Sequence, residues 1–516
     1  MCLDRLSRRT LPPIREEYRN VFPCDVNHHI YIECGVVSIF NQVVENLSIL
    51  AGDDTATGNL LKRWQEVSPN LYDFLRDAQP GDIFLKKQYR PYNPRAPQQF
   101  RNTPNEHMFP LVNGKTHVDI GFVDFGIVFD SIGSLSFDGD PLTVVGYDAE
   151  PFCVAKSLVM LEIINDPTTT PRNVLEVWLS SLWSKATLRA FKKATKSLTN
   201  IGQVAIDPRV RSILKFWESS LKISRKSALE IQIQGVAAKR DTKWALRCCS
   251  LKSKKDRVSF LRYVFTNALY EDDTTVCGSI VMCQSDEAIG VKQIFESCLE
   301  SIPSPVWIRA SDSVLDTARS YFEGNMEKLV RHVRQGTIIF TPKLGTVSLR
   351  NSSLIQEIAA MHPYTISWSN VVDYIHPTDF HRVAKRVSGP DTVHVLHSCN
   401  WCTRVHGTDI FDINPAVRLS IYAEGLFFAE QCHAGAVDHF RNQCASILGR
   451  IYVKKFLRYF FKGEDVRCAC MNGKSPLTPW SPFARNTDTA HYIFAYAETG
   501  ISFGQDACDF LSEDYE

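Results

Sequence analysis

Three stretches of this 516-residue chain carry residues whose types and spacing suit ligand binding. The first is Asp124-Phe-Gly126, inside the apolar run from His117 to Phe129, HVDIGFVDFGIVF. The second is LTVVGYD, Leu142–Asp148, whose acid is followed within three residues by Pro151 and a helical pattern. An ionised carboxylate only accepts hydrogen bonds, so an acid at the end of a buried strand can take both hydroxyls of a ribose as donors. Asp148 lies 22 residues after Gly126, near the ~20-residue spacing of dinucleotide-binding sites. The third stretch is Ser367-Trp-Ser369-Asn370-Val-Val-Asp373, polar residues directly after a short apolar run. Each also has a purely structural use. Asp148 suits a helix N-cap, Asp124 a buried acid bonded to a neighbouring turn, and Ser369, Asn370 and Asp373 loop residues bonding their own backbone.

Cysteine chemistry comes next. Cys399 and Cys402 form a C-x-x-C pair with His406 close behind. Two thiolates at that spacing can face one tetrahedral zinc at about 2.3 Å. Neither Cys432–His433 nor Cys468-Ala-Cys470 supplies a second pair at standard spacing, so no metal site is assigned. The sixteen cysteines are irregularly spaced, and Cys153, Cys283 and Cys298 sit in apolar runs. That pattern fits buried free thiols in a reducing, intracellular and cytoplasmic setting better than a disulfide scaffold. No H-E-x-x-H helix, phosphate-binding G-x-x-x-x-G-K-[ST] loop or deaminase H-x-E with P-C-x-x-C occurs.

The elements that must position these residues read as strand, turn and helix. A buried strand over 117–129 with its end at Val123–Gly126, then a strand at Leu142–Tyr147 and a helix over Pro151–Ile164, give the rhythm of an α/β domain. Further strands are predicted at Gly336–Thr341, Tyr364–Ser367 and Thr392–His397, with a helix over Phe380–Val387. Between the two sets, 172–335 reads as a long, mostly helical insertion. The predicted organisation is a smaller N-terminal region (1–105) ending in a Pro- and Arg-rich stretch, and a first half-domain (106–171). The basic insertion (172–335), a second half-domain (336–470) and an irregular acidic tail (471–516) follow. No internal repeat is present.

The strands ending in Asp124 and Asp148 resemble the class I S-adenosylmethionine-dependent methyltransferase superfamily. The resemblance covers about 117–165 and 336–410 and implies a Rossmann-like sheet interrupted by the insertion. It also implies an S-adenosylmethionine cofactor. Asp124 and Gly126 would lie at its methionine end, Asp148 on its ribose, and Ser369 and Asn370 near the reacting methyl group. This sequence departs from the family's glycine-rich first turn, with Ile127, Val128 and Phe129 following the glycine. A looser resemblance extends to eukaryotic methyltransferase-like modules that are sometimes joined to MYND zinc fingers, whose cysteine pattern is absent here. No catalytic base is assigned.

Charge is unevenly spread. The net charge is +1, from 58 basic and 57 acidic side chains, with 44% hydrophobic residues. That composition excludes collagen-like, coiled-coil and disordered classes. Between Lys185 and Arg257, however, nineteen Lys and Arg face five acids. Interleaved with Phe216, Trp217 and Trp244, this stretch suits a nucleic acid or an acidic protein as partner. No window reaches the ~18–20 apolar residues of a membrane span, and Met1–Arg19 lacks the apolar core of a secretory signal. Two functions are therefore expected to compete. One is a methyltransferase, active or degenerate. The other is a non-catalytic scaffold that uses the same fold and the basic insertion to grip a polyanion.

Overall fold

The computed structural model describes residues 111–200 (apart from 123, 134, 136 and 138), 206–239, 263, 266–283, 302, 314–398, 459–464, 466–470 and 490–496. Seven strands form one sheet. In chain order they are β1 (Thr116–Ile120), β2 (Leu142–Asp148), β6 (Ile338–Leu344), β7 (Thr365–Ser367), β8 (Val393–Ser398), β9 (Val466–Cys470) and β10 (Ala490–Tyr496). Their spatial order is β6-β2-β1-β7-β8-β10-β9. The first five are mutually parallel, and β10 runs antiparallel to both β8 and β9. Counted within this sheet alone, the order is 3-2-1-4-5-7-6. The chain leaves β1 toward one edge and returns beside β1 as β7, so a topological switch point lies between those two strands.

Helices cover both faces, as the near-continuous apolar runs of parallel strands require. On one face lie α1 (Gly126–Ser131) and α2 (Pro151–Asn165). Pro151 opens α2, and the Glu150 side chain caps it by accepting the Phe152 N–H. Helix α2 is buried almost all round because the sheet covers one side and the insertion the other. The opposite face carries α9 (Ser352–Ala360) and α10 (Pro377–Val387), whose Leu354, Ile355, Ile358, Phe380, Val383 and Val387 pack on Val118, Ile120, Val145, Tyr147 and Ile366.

The insertion is built from α3 (Pro171–Leu179), α4 (Lys185–Asn200), α5 (Pro208–Ser219), α6 (Arg225–Lys239), the short α7 (Ile280–Cys283) and α8 (Val314–Arg334). It is not wholly helical. β3 (Leu182–Ser184), β4 (Ile223–Ser224) and β5 (Thr275–Gly278) form a second, antiparallel sheet of order β3-β5-β4. Trp178, Trp183 and Trp217 are buried in the same cluster as Phe122, Phe125 and Val144, so insertion and sheet share one core. Arg172 ties α3 to the loop before β5. Its Nε donates to Glu176 at 2.7 Å, its two terminal nitrogens donate to Asp272 at 2.8 and 3.0 Å, and its guanidinium stands 4.3 Å from the Tyr270 ring centre.

Two expectations from the sequence are corrected. The first strand ends at Ile120 rather than running to Phe129, because Gly121 takes a left-handed φ of +77° and turns the chain out of the sheet. Residues 126–131 are helix. The segment expected to be an irregular tail holds β10, which hydrogen-bonds between β8 and β9 and closes that side of the sheet. The candidate thiols Cys399 and Cys402 lie outside the described residues, as does Trp244.

Candidate functional site at the carboxyl edge of the sheet

Ligands of open parallel sheets bind beyond the carboxyl ends of the strands, at the switch point. Register places Gly146 of β2, Asp119 of β1, Ser367 of β7 and Val395 of β8 in one row across the sheet. Side chains alternate between faces along a strand. Val118 and Ile120 join the core beneath α9 and α10, so Asp119 faces the α1 side, as does Ser367. Both are buried. A carboxylate and a hydroxyl thus stand side by side where β1 and β7 diverge.

One step further toward the edge, Gly121 meets the loop after β7. A Cβ on Gly121 would sit 3.2 Å from Ser369 Cβ and 3.2 Å from Val371 Cγ2. Glycine is required here both by its φ and by this close approach. Ser369 itself holds a φ of +46°, uncommon for a residue with a side chain. Its carbonyl accepts the His397 N–H at 2.8 Å, and the neighbouring Trp368 N–H donates to Val395 at 2.8 Å. Backbone strain held in place by its surroundings is a feature of binding and catalytic loops. Asn370 is half-buried and precedes the 3-10 turn Val371–Asp373; Asp373 accepts the Ser398 hydroxyl at 2.6 Å.

Trp368 anchors that loop from below. Its indole Nε1–H donates to His394 Nδ1 at 2.9 Å, which leaves Nε2 of the neutral ring to donate to Ser388 Oγ at 2.8 Å. The Ser388 hydroxyl passes its proton donation on to the Ala384 carbonyl at 2.6 Å. Burial pulls the His394 pKa down to about 3, with the nearby His381 contributing in the same direction. The ring therefore stays neutral, as the tautomer requires.

Asp148 closes β2. It is 7% exposed, and its Oδ1 accepts the Glu150 N–H at 2.8 Å. Around it the edge is acidic. Burial pushes the Cys153 thiol well up, Asp148, Glu150 and Asp124 add to that rise, and Lys156 opposes it. Burial likewise raises Glu150, against the Phe152 N–H that favours its charged form. Lys156, on α2, is fully buried within reach of this cluster.

Asp124 and Gly126 lie in a different place from the one their spacing suggested. Asp124 Oδ1 accepts the Gly126 N–H at 2.9 Å at the start of α1, and Oδ2 accepts the Trp178 indole N–H at 3.1 Å. Both oxygens are engaged by the protein. The bulky residues after Gly126 belong to α1, not to the turn. Val128 and Phe129 enter the core, Phe129 with its ring 4.8 Å from Trp178, while Ile127 packs on Val395 and Leu111. The Phe122 ring lies against Gly146, where a Cβ would run into it.

The structure therefore brings together Gly121, Asp119, Ser367, Ser369 and Asn370 at the switch point, with Asp148 one strand away. Asp119 and Gly121 were missed from sequence because the uninterrupted apolar run hid the turn inside it. The signal that marks them is the spacing Gly121-x4-Gly126, the outer glycines of a G-x-G-x-x-G pattern with Val123 at the middle position. Among the described residues, no group of three His, Cys, Asp or Glu side chains is placed to hold a metal ion, and no helix is long and apolar enough to cross a membrane. Comparison with protein-family models, with curated proteins and with solved structures finds no match for this chain.

Proposed function

We propose that the chain is a Rossmann-like, methyltransferase-type protein that binds S-adenosylmethionine at the carboxyl edge of its sheet and transfers the methyl group to an acceptor. The observation that carries this reading is the sheet order 3-2-1-4-5-7-6, with the last strand antiparallel and an acid on each of the first two strands where they meet the edge. That order is what the methyltransferase resemblance implies. The position expected of Asp124 and Gly126 is filled, in this reading, by Asp119 and Gly121, five residues earlier. Gly121 and the Ser369 loop would border the methionine end and the reacting methyl, and Asp148 would take the ribose hydroxyls.

Charge discriminates between nucleoside cofactors. A dinucleotide places its pyrophosphate on the helix N-terminus that follows β1. Here the Asp124 carboxylate already occupies the first N–H of α1 and sets a negative charge where a phosphate would have to sit. Asp119, Asp148 and Glu150 outnumber the buried Lys156 at this edge, a balance that suits a sulfonium and an ammonium better than an anion. When bound, the cofactor supplies an electrophilic methyl group. The chain's share would be positional: the Gly121 turn and the strained Ser369 loop would hold the methyl end of the cofactor near an incoming nucleophile.

Titration with S-adenosylmethionine and S-adenosylhomocysteine by calorimetry or thermal shift tests the reading. Saturable micromolar binding, lost in Asp148→Ala and not reproduced by NAD, is expected. Absence of binding at millimolar ligand, or binding indifferent to Asp148→Ala, overturns it. The near-complete enclosure of Asp148 and the Phe122 ring on Gly146 favour a second reading, a non-catalytic scaffold with a filled pocket. Under that reading neither nucleoside binds.

A further inference from the structure

We infer that the α4–α5 face of the insertion is a binding surface for single-stranded nucleic acid. Helix α4 presents Lys185, Arg189, Lys193 and Lys196 on one exposed face, opposite the buried Thr187, Phe191, Ala194 and Leu198. At 1.5 Å rise per residue these four cations form a stripe about 16 Å long, with neighbours about 5–6 Å apart along the axis. The acids nearby are already engaged. Asp166 pairs with Lys193 at 2.6 Å, Asp207 with Arg209 at 3.2 Å, and Glu218 accepts the Thr199 hydroxyl at 2.8 Å. Lys185, Arg189 and Lys196 on α4, with Lys215 and Lys222 at the end of α5, make no ion pair among the described residues.

Helix α5 adds an apolar element beside the stripe. Lys192 and Thr199, at the border of the stripe, touch the last turn of α5. Lys192 Nζ donates to the carbonyls of Trp217, Glu218 and Ser220 at 2.6–2.7 Å and so caps that helix. Trp217 is buried against Phe191 and Phe152, whereas its neighbour Phe216 is 52% exposed and Leu221 is 85% exposed. An exposed aromatic ring on the helix packed beside a row of cations is the pairing that single strands use, phosphates on the cations and a base on the ring.

The Phe152–Trp217 contact, 4.9 Å between ring centres, sets this end of α5 beside the start of α2, three residues after Asp148. A strand lying on α4 and α5 thus approaches the carboxyl edge. Its role as the methyl acceptor rests on the reading above; its binding does not.

Fluorescence anisotropy of a labelled, mixed-sequence 20-nucleotide single strand against the full chain, without any nucleoside cofactor, tests the inference. Binding is expected to weaken with salt, with a slope of about −0.7 in log–log form for each phosphate contact. The triple variant Lys185→Gln, Arg189→Gln, Lys196→Gln should lose about two units of that slope. Phe216→Ala should weaken binding by about tenfold with the slope unchanged. All four side chains are exposed, so thermal stability and S-adenosylmethionine titration serve as controls and should match the parent chain. No binding at low salt, or a triple variant with the parent slope, overturns the inference. So does polyglutamate competing as well as the oligonucleotide while Phe216→Ala has no effect, an outcome that assigns the face to acidic proteins.

Discussion

Asp124→Asn separates the two acids that the sequence alone treats as equivalent. In the folded chain Asp124 accepts one N–H from Gly126 and one from the Trp178 indole, and it is buried. An asparagine has one oxygen for these two donors, so its amide NH2 must point at the other. One buried donor then loses its acceptor, which costs about 1–3 kcal/mol, and the surviving bond loses its charge assistance, about 1 kcal/mol more. The total of about 2–4 kcal/mol corresponds to a fall of roughly 5–15 °C in melting temperature for a body of this size. In Asp148→Asn, by contrast, the asparagine oxygen can still accept the Glu150 N–H. Thermal denaturation followed by circular dichroism, paired with S-adenosylmethionine titration, reads both quantities on each variant. Asp124→Asn should melt early, and Asp148→Asn should bind weakly. Repeating Asp124→Asn in a Trp178→Phe background should cost less than in the parent, by about 1 kcal/mol, because one of the two donors is already gone. A fully stable Asp124→Asn that loses ligand, beside an Asp148→Asn that keeps it, would refute the assignment of roles.

Three further outcomes follow from the packing. Gly146→Ala puts a Cβ into the Phe122 ring and should destabilise by about 1–3 kcal/mol in urea titrations; in a Phe122→Ala background the same change should be close to neutral. Arg172→Ala leaves the buried Glu176 with a charge no longer matched and should cost about 3–5 kcal/mol by the same measurement. Burial holds His394 near a pKa of about 3 and His117 near about 4, both below the unfolded value of 6.5. The unfolded chain therefore binds more protons across that window. The contribution of these rings is fully present above pH 6.5 and declines as pH falls toward 4, by about 1.4 kcal/mol per pH unit for each ring. His394→Gln, whose amide can accept from Trp368 and donate to Ser388, should flatten the slope by one ring's worth. An unchanged slope in urea titrations between pH 4.5 and 6.5 would contradict the neutral buried imidazole.

Strands whose side chains meet only core were legible in the sequence, and so was their direction of travel. LTVVGYD reads as a buried strand ending in an acid because nothing interrupts its apolar run, and Pro151 marks the start of the next helix without ambiguity. The turn after β1 was hidden by its own composition. Gly121 breaks the strand through its backbone angle alone, while Phe122 and Phe125 go on into the core, so the hydrophobic pattern passes through the turn unchanged. Asp119 rather than Asp124 is the acid on β1 for the same reason: a strand read as running past Gly121 carries its terminal acid with it. Strand β10 was missed because one of its two partners, β8, lies nearly a hundred residues away, and pairing at that distance leaves no local mark on composition.

The insertion cannot be treated as a module hung on a finished sheet. Its helix α3 supplies the Trp178 indole that holds Asp124, and α8 supplies Asn325, whose amide donates to the Phe129 carbonyl in α1 at 3.3 Å. Both bonds fix the segment that follows Gly121, the residue pressed against Ser369 at the switch point. The turn takes support from outside the sheet, and the insertion provides it. A change deep in α3, such as Trp178→Phe, should therefore alter the edge of the sheet as well as the stability of the insertion. Deleting 172–335 outright should remove the site along with the basic face, because the two are built on one continuous core.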